Sequence, residues 1–393
     1  MFRPTLLLIF TAFTSVALAQ SDTPAPQGPP NVPEFAPAFP EQTRAPAMQS
    51  SAPEIAIFVD KLEHPWGMAE LPGGGLLVTE RAGRLRHVSA DGALSEPIKG
   101  LPNIWAGGQG GMLDVAIGPT FADDRLIYWT YAKATPDNMG TTAAARGRLS
   151  EDLGQLTDVQ DIFVQTPASR SGAHFGSRIV FDDAGHTFIT TGDRGDGDQA
   201  QDLSRTIGKV IRVTLDGKVP PDNPFANQPA PQSEIWSYGH RNVQGATIGP
   251  DGALWTIEHG PKGGDELNRP EPGKNYGWPV IGYGEDYSGL PMGDGLTVRD
   301  GMEQPVYYWD PVIAPGGMAF YSSAMFPDWN GDLLIGSLNP GELVRLRLAD
   351  GKVVGEERIL RGIGRIRDVE VMADGSVLLA IDAPNGGLLR LSR

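Results

Sequence analysis

Cysteine is absent from this chain of 393 residues, so disulfides, thiolate metal ligands and a cysteine nucleophile are all excluded. Positive charge is scarce as well. The 32 Lys and Arg residues face 48 Asp and Glu residues, which leaves a net charge of −16. Such a surface would repel nucleic-acid phosphates, so we expect no nucleic-acid partner. An acidic surface that keeps the protein soluble is the simpler explanation of this charge.

Several common catalytic fingerprints are also missing. The chain contains no HExxH, GxSxG, P-loop or dinucleotide-binding GxGxxG motif. The usual zinc protease, esterase, nucleotide hydrolase and nicotinamide-dependent classes are therefore disfavoured.

The N-terminus has the pattern of a secretory signal. Arg3 precedes an apolar run from Leu6 to Leu18, and Ala17-Leu18-Ala19 forms a small-x-small cleavage site before Gln20. The alternative is an uncleaved anchor, but the run is short for a membrane span. We predict a signal peptide over residues 1–19, a periplasmic location and no stable membrane insertion. Residues 20–52 are rich in Pro, Ala and Gln and predict a disordered linker.

From residue 53 to 393 the chain is a series of short strands with Gly-rich turns. One unit recurs, in which a turn containing Gly or Asp leads into an apolar strand. Its six copies begin at Pro72, Asp123, Asp182, Pro250, Asn330 and Ala373, roughly 45–80 residues apart. This repetition predicts an all-β, six-bladed β-propeller with a site in the central channel. Long inter-blade loops are expected to wall a cleft, namely Ala134–Leu156, Val219–Gln232 and Gly282–Gln304.

The stretch Glu234–Pro279 contains the most informative hairpin. Its strands, Gln244–Ile248 and Ala253–Ile257, flank Pro250-Asp251-Gly252. Because the strands are antiparallel, Gly239-His240-Arg241-Asn242 and Glu258-His259-Gly260-Pro261 emerge at the same end. Backbone carbonyls next to a fixed cation predict a site for a metal and an anionic ligand. Arg241-Asn242 is equally compatible with a structural corner.

A second block begins at His174. Antiparallel pairing about Asp183-Ala184 places His174 opposite Asp193 or within one residue of it. A carboxylate beside an imidazole suits a general base and the group that orients it. The alternative is a histidine that caps a strand end.

Further cations and a glycine-flanked amide complete the candidates. Arg365 and Arg367 alternate along one strand and so face one side, where an anionic ligand would relieve their repulsion. The alternative is pairing with Asp368 or with neighbouring glutamates. Gln109 lies among glycines that allow close approach of a ligand. We expect the tryptophans to pack between blades, with Trp66 and Trp278 as potential exceptions.

Taken together, these blocks resemble the glucose/sorbosone dehydrogenase family, and in particular its soluble members that use pyrroloquinoline quinone (PQQ). The resemblance extends in order from about Ile55 to the C-terminus, and the family fold is a six-bladed propeller. The matching segments include HPWGMAELPGGGLLVTERAGRL, GGQGGMLDVAIGP, AHFGSRIVF, SYGHRNVQG, EHGPKGGDELN, NYGWP and GRIRDVEVMADG.

The resemblance implies a role for each matching residue. His174 would be the base that deprotonates the anomeric hydroxyl of an aldose, oriented by Asp193, while hydride passes from C1 to PQQ and a lactone forms. A calcium ion would polarise the quinone, held by the carbonyls of Gly260 and Pro261. A second, structural calcium would be bound by Glu266, Tyr276 and Asp286. The implied PQQ contacts are Gln109, Arg241, Asn242, Tyr287, Arg365 and Arg367, together with Asn339.

Asn339 departs from the family pattern, because family members often carry a Lys there. We expect the loss of this charge to weaken PQQ binding by about 1–3 kcal/mol. Two alternatives remain open: a calcium-dependent sugar lactonase and a non-catalytic propeller that binds glycan or protein. The electron acceptor is not identified, and we expect a monomer or a homodimer.

Overall fold

The computed structural model describes residues 23–393, and it is built almost entirely from antiparallel β-sheet. The predicted signal peptide over residues 1–19 lies outside the described residues. Strand β1 (Glu54–Leu62) precedes blade 1, which contains β2 (Pro65–Glu70), β3 (Leu76–Glu80) and β4 (Arg84–Val88). Blade 2 contains β5 (Met112–Ile117), β6 (Leu126–Ala134), β7 (Gly140–Leu149) and β8 (Leu156–Val164), and blade 3 contains β9 (Ile179–Phe181), β10 (His186–Thr190), β11 (Lys209–Thr214) and β12 (Ile235–Tyr238).

Three more blades follow along the chain. Blade 4 contains β13 (Val243–Ile248), β14 (Leu254–Glu258), β16 (Asp265–Asn268) and β18 (Tyr307–Trp309), and a separate ladder pairs β15 (Lys262–Gly263) with β17 (Gly284–Glu285). Blade 5 contains β19 (Pro315–Phe320), β20 (Leu333–Ser337), β21 (Leu343–Ala349) and β22 (Lys352–Ile359), and blade 6 contains β23 (Ile366–Val371), β24 (Val377–Ile381) and β25 (Gly386–Ser392). In the described part of the chain, helical structure is limited to α1 (Phe121–Asp124) and the 3-10 turns Pro40–Gln42, Gly197–Ala200, Gln232–Glu234 and Pro327–Trp329.

The six sheets form a closed ring. The first strand of each blade contacts the first strand of the next, in the cyclic order β2, β5, β9, β13, β19, β23 and back to β2. Strand β1 pairs with β25, so the N-terminal strand completes the last blade and closes the circle. The predicted six-bladed propeller is therefore confirmed.

The six turns recognised in the sequence each connect the first strand of a blade to its second. In blade 4, for example, β13 pairs with β14 across the turn at Pro250-Asp251-Gly252. Because these pairs are antiparallel, the beginning of every first strand and the end of every second strand lie on the same face of the ring. That face carries the candidate site.

The segment before β1 differs from its prediction. Gln42 is fully buried, and its side-chain amide donates to the carbonyl of Pro305 while its oxygen accepts from the hydroxyl of Tyr283. The backbone N–H of Val32 donates to Asp310, 3.0 Å away. The prediction of a disordered linker over residues 20–52 is therefore wrong from Thr23 onward. Proline-rich sequence lacks periodicity, yet its separate apolar and amide groups still pack against blades 4 and 5.

The core lies between the blades, where side chains of adjacent sheets interdigitate. Trp129, Trp309 and Trp329 are completely buried there, as expected for tryptophans that pack between blades. Trp66 and Trp278 instead border cavities at the channel mouth. No helix within residues 23–393 combines the length and apolar character needed to cross a membrane.

Candidate active site

A cavity opens at one mouth of the central channel, on the face where first strands begin and second strands end. It brings together seven residues singled out in the sequence: Gln109, His174, Arg241, Asn242, Tyr287, Arg365 and Arg367. The remainder of its wall comes from Trp66, Arg81, Leu113, Phe175, Gly176, Gln244, His259 and Leu338. A neighbouring cleft shares His174, Arg241 and Tyr287 with this cavity and adds Asp193, Asp286 and Trp278.

His174 and Asp193 form the expected pair, with 2.6 Å between His174 Nδ1 and Asp193 Oδ1. His174 precedes β9 and Asp193 follows β10, so both lie just past the end of the ladder that joins these strands. With Nδ1 turned to the carboxylate, Nε2 is the ring nitrogen left for a ligand. His174 has a φ of 50°, an uncommon conformation for a residue with a side chain. The backbone N–H of His174 donates to the side-chain amide oxygen of Gln109 at 2.8 Å.

Asp193 is itself held from two further directions. The indole Nε1 of Trp278 donates to its Oδ2 at 2.7 Å, and the backbone N–H of Gly195 donates to Oδ1 at 2.7 Å. Asp193 is buried, and these bonds give its carboxylate one fixed orientation. The guanidinium of Arg241 lies 5.2 Å from the centre of a Trp278 ring, within cation–π range. Trp278 therefore contacts both the dyad and a cavity cation.

Arg241 and Asn242 immediately precede β13, and they combine structural bonds with a place in the cavity wall. The backbone of Arg241 donates to Glu258 at 2.6 Å, and its guanidinium donates to the carbonyl of His259 at 3.1 Å. The side-chain oxygen of Asn242 accepts from the backbone N–H of Gly176 at 3.1 Å. Arg241 and Asn242 thus form the structural corner that the sequence also allowed, and both line the cavity.

Arg365 and Arg367 face the same cavity, as their alternation predicts. Their shared anion is Asp382, which lies 3.1 Å from Nη2 of Arg367 and 3.8 Å from Nε of Arg365. Asp382 also contacts His64 Nδ1 at 2.6 Å. Arg367 is buried, and desolvation lowers the pKa of its guanidinium to about 10 despite the nearby Asp382. Its Nε has no hydrogen-bond partner within residues 23–393.

Two further predicted contacts differ in their placement. Tyr287 borders both the cavity and the cleft, with 73% of its surface exposed. Asn339 is exposed and does not line the cavity; the preceding residue, Leu338, does. The structure therefore does not place Asn339 with the other predicted PQQ contacts.

The predicted metal ligands lie around an adjoining pocket. Gly260, Pro261, Glu266 and Tyr276 line it together with Glu258, whereas Asp286 belongs to the neighbouring cleft. Glu258 and Glu266 are cross-strand partners in β14 and β16. Burial, followed by repulsion from Glu258, raises the pKa of Glu266 well above its usual range. The Tyr276 hydroxyl is engaged elsewhere, since it donates to the Arg269 carbonyl at 2.6 Å.

The channel is closed below the cavity by an ion-paired cluster. Arg178 Nη1 lies 2.8 Å from Asp114, and its Nη2 lies 2.8 Å from Asp368. Its Nε donates to the Gln244 carbonyl at 2.7 Å, and its guanidinium stacks 4.4 Å from a Trp66 ring centre. All three charged residues are buried. The charged groups in the floor of the cavity therefore pair with one another and with the backbone.

Comparison with known proteins agrees with this geometry. The family model described as Glucose / Sorbosone dehydrogenase matches residues 62–390. The chain belongs to the glucose/sorbosone dehydrogenase family. The resemblance proposed from the sequence motifs is thus confirmed, and the protein is an oxidoreductase.

Individual relatives in this family cover most of the chain. The aldose sugar dehydrogenase YliI of Escherichia coli K12 is 45% identical over 86% of this chain and 92% of its own length. The apo-form crystal structure of the soluble aldose sugar dehydrogenase from Escherichia coli superimposes with a TM-score of 0.83 at 44% identity, covering 86% of this chain and 99% of that one. The PQQ-bound aldose sugar dehydrogenase from Streptomyces coelicolor gives a TM-score of 0.73 at 28% identity, covering 88% and 99% of the two chains.

In this glucose/sorbosone dehydrogenase, sequence reasoning did not identify two residues of the site. Arg81, which lines the cavity, follows β3, and Asp382, which pairs with Arg365 and Arg367, follows β24. His259, named in the sequence but given no role, follows β14 and also lines the cavity. Their positions would have identified them, because the end of each second strand reaches the face where each first strand begins. The sequence singles out Trp278 only as a potential exception to packing between blades, and its contact with Asp193 has no comparable signal because Trp278 lies in a long loop.

Proposed function

We propose that this protein oxidises aldoses at C1 to lactones, with PQQ as the bound electron acceptor and His174 as the general base. The observation that carries the proposal is the His174–Asp193 dyad in one cavity with several guanidinium groups. The relatives named aldose sugar dehydrogenase, one of them solved in a PQQ-bound form, supply the substrate class and the cofactor.

The chain's own part in this reaction is to bind the sugar and to move one proton. The Asp193 carboxylate accepts a hydrogen bond from Nδ1–H of His174, which leaves Nε2 unprotonated and able to take the proton from the anomeric hydroxyl. The hemiacetal becomes a lactone when it loses this proton and a hydride, which is the C1 hydrogen with two electrons. PQQ, when bound, supplies the two-electron acceptor for this oxidation.

The cavity suits an anionic cofactor such as PQQ, which carries three carboxylates. Arg241 has no carboxylate partner among the described residues. The carboxylate near Arg365 is that of Asp382, which lies 3.8 Å away and is shared with Arg367. The buried Nε of Arg367 lacks a hydrogen bond. Guanidinium groups with so few carboxylate partners favour an anionic ligand, with which they form charge-assisted hydrogen bonds. We therefore assign Arg241, Asn242, Arg365, Arg367, Gln109 and Tyr287 to PQQ binding.

The donor set of the adjoining pocket suits calcium, and we propose that calcium binds here. No described residue donates a hydrogen bond to the carbonyl of Gly260 or Pro261. Glu258 and Glu266 share the side-chain amide of Asn268, at 3.1 and 3.3 Å, while Asn268 Oδ1 is buried without a partner. Carbonyl and carboxylate oxygens are the ligands that calcium takes, and those of Gly260, Pro261 and Asn268 have no donor among the described residues. Tyr276 would contribute through its backbone and Asp286 through the rim of the neighbouring cleft.

We also propose that the protein acts in the periplasm after cleavage of residues 1–19. The support is the charged, apolar and small-residue pattern of that segment. Periplasmic fractionation and N-terminal sequencing of the mature chain test it, with Gln20 as the expected first residue. An intact Met1 in a membrane fraction would overturn this proposal.

The enzymatic proposal is tested with purified apoprotein reconstituted with PQQ and calcium. We expect aldose-dependent reduction of a dye, formation of the corresponding lactone, and loss of both after chelation and removal of calcium. Reconstituted protein that binds PQQ but reduces no dye with a broad panel of aldoses would contradict it. Hydrolysis of added lactone by the PQQ-free protein would favour the hydrolase alternative instead.

A further inference from the structure

Arg81 is a guanidinium in the cavity wall for which residues 23–393 provide no partner. It lines the cavity and is half-buried. Within residues 23–393, its side chain makes no hydrogen bond, no ion pair and no contact with an aromatic ring. A charged group at this depth normally acquires a partner, because partial desolvation without one is costly.

The same hairpin shows that carboxylates were available to its neighbours. Arg84 pairs with Glu80 at 2.7 Å and with Glu63 at 2.6 Å, and Arg86 lies 3.2 Å from Glu80. Glu80 ends β3 and is buried beside Arg84 and Arg86, whereas Arg81 lies in the turn that follows and lines the cavity. Of the three arginines in this hairpin, Arg81 is therefore the one at the channel mouth.

The position of Arg81 is fixed by its backbone. Its N–H donates to the His64 carbonyl at 3.1 Å, and its carbonyl accepts from Met112 at 3.2 Å. Gly111 packs directly against it, and a side chain at that position would collide with the Arg81 carbonyl. The guanidinium is thus presented to the cavity from a rigid strand end, unlike a mobile arginine on the outer surface.

The charges around the cavity explain what Arg81 lacks. Four guanidiniums line it, those of Arg81, Arg241, Arg365 and Arg367. The ion pairs with these groups involve one carboxylate, Asp382, which is shared by Arg365 and Arg367. Four like charges around one cavity with one counter-charge favour a polyanionic ligand.

We propose that Arg81 is an additional cofactor-binding cation, which pairs with a carboxylate of bound PQQ. This inference rests on the proposed function and assigns Arg81 a role beside Arg241, Arg365 and Arg367. Arg81 lies in blade 1, whereas those three arginines lie in blades 4 and 6. The cofactor would thereby be held by cations from both sides of the channel mouth.

The test is calorimetric titration of the calcium-loaded apoprotein with PQQ, for wild type and for Arg81→Gln. We expect Arg81→Gln to weaken the Kd by about 10- to 100-fold, the range of one charge-assisted hydrogen bond. Arg81→Lys should lose less, because it keeps the charge but not the bidentate geometry. Arg299→Gln is the matched control, since it removes the same charge from an exposed arginine without a side-chain partner and should leave the Kd unchanged.

A second readout separates binding from folding. Because the Arg81 side chain has no partner in the described part of the fold, Arg81→Gln should leave the Tm of the apoprotein unchanged and reduce only the rise in Tm caused by PQQ. Wild-type affinity in Arg81→Gln would overturn this inference while leaving the proposed function in place. Failure of the wild-type protein to bind PQQ would overturn both.

Discussion

The two halves of the central channel differ in how their arginines are paired. In the floor, Arg178 is surrounded by Asp114, Asp368 and a backbone carbonyl, so its donors are used within the protein. At the mouth, Arg81 and Arg241 have no carboxylate partner among residues 23–393. A buried charge with a full set of partners contributes to the fold, whereas a charge without them requires a ligand. Charge pairing therefore distinguishes Arg178 in the floor from Arg81 and Arg241 at the mouth, while Arg365 and Arg367 combine a shared Asp382 with a place in the cavity wall.

The largest effect is expected at the mouth. His174→Ala removes the base, so kcat should fall by about 10²–10⁴-fold while PQQ still binds to the guanidiniums. His186→Ala is a matched control, because His186 forms a similar pair with Asp182 at 2.9 Å at the opposite end of the same hairpin. Steady-state kinetics and PQQ titration measure the two effects. Substantial turnover by His174→Ala would remove His174 from the base role.

The floor should show its largest effect on stability. Arg178→Met leaves the carboxylates of Asp114 and Asp368 buried without their counter-charge, so the free energy of unfolding should fall by about 3–5 kcal/mol. Urea denaturation of the apoprotein measures this loss. Arg81→Gln, at the mouth, should change the same quantity by less than about 0.5 kcal/mol. Equal stabilities of the two variants would refute the distinction between floor and mouth.

A smaller effect is expected from the bond that holds the dyad. Trp278→Phe keeps an aromatic ring but removes the donor to Asp193 Oδ2, so kcat should fall by about 10-fold, the scale of one hydrogen bond to a charged group. In His174→Ala, the Trp278→Phe change should cost little more. An independent 10-fold loss there would show that Trp278 acts on something other than the dyad.

The smallest effect concerns the far end of the channel. Burial, with repulsion from Asp368, Glu70 and Asp114, raises the pKa of Glu370 to about 8. Between about pH 4.5 and pH 8 the folded protein keeps the Glu370 proton, whereas the unfolded chain has lost it. The free energy of unfolding therefore declines as the pH rises through this range. Because Glu370 is only half-buried, Glu370→Gln should gain about 1 kcal/mol or less over wild type at pH 9 relative to pH 5. The same difference at both pH values would contradict this titration.

Much of the site was predictable because hairpin geometry is local. The spacing between His174 and Asp193 predicted their contact, since two strands joined by a tight turn have little freedom in register. The alternation of Arg365 and Arg367 likewise predicted their common direction. Arg81 was not identified, and the contact of Trp278 with the dyad was not predicted, because both depend on which blades and loops meet at the channel mouth.

The N-terminal segment shows the opposite limit. Its composition is typical of a linker, yet Gln42 is completely buried against residues more than 240 positions away. Local composition measures how well a segment can fold by itself and carries no information about a surface formed elsewhere in the chain.

By itself, the sequence determined the repeated hairpins, the number of blades and the dyad, because each depends on turn residues and on a side-chain period of two within a short stretch. Only the tertiary structure decided which charges remain without partners. Closing the ring brings Arg178 to two carboxylates from other blades and leaves Arg81 facing the cavity with none. That difference arises from contacts between distant segments, and electrostatic free energy depends on distance in space and on burial, not on separation along the chain.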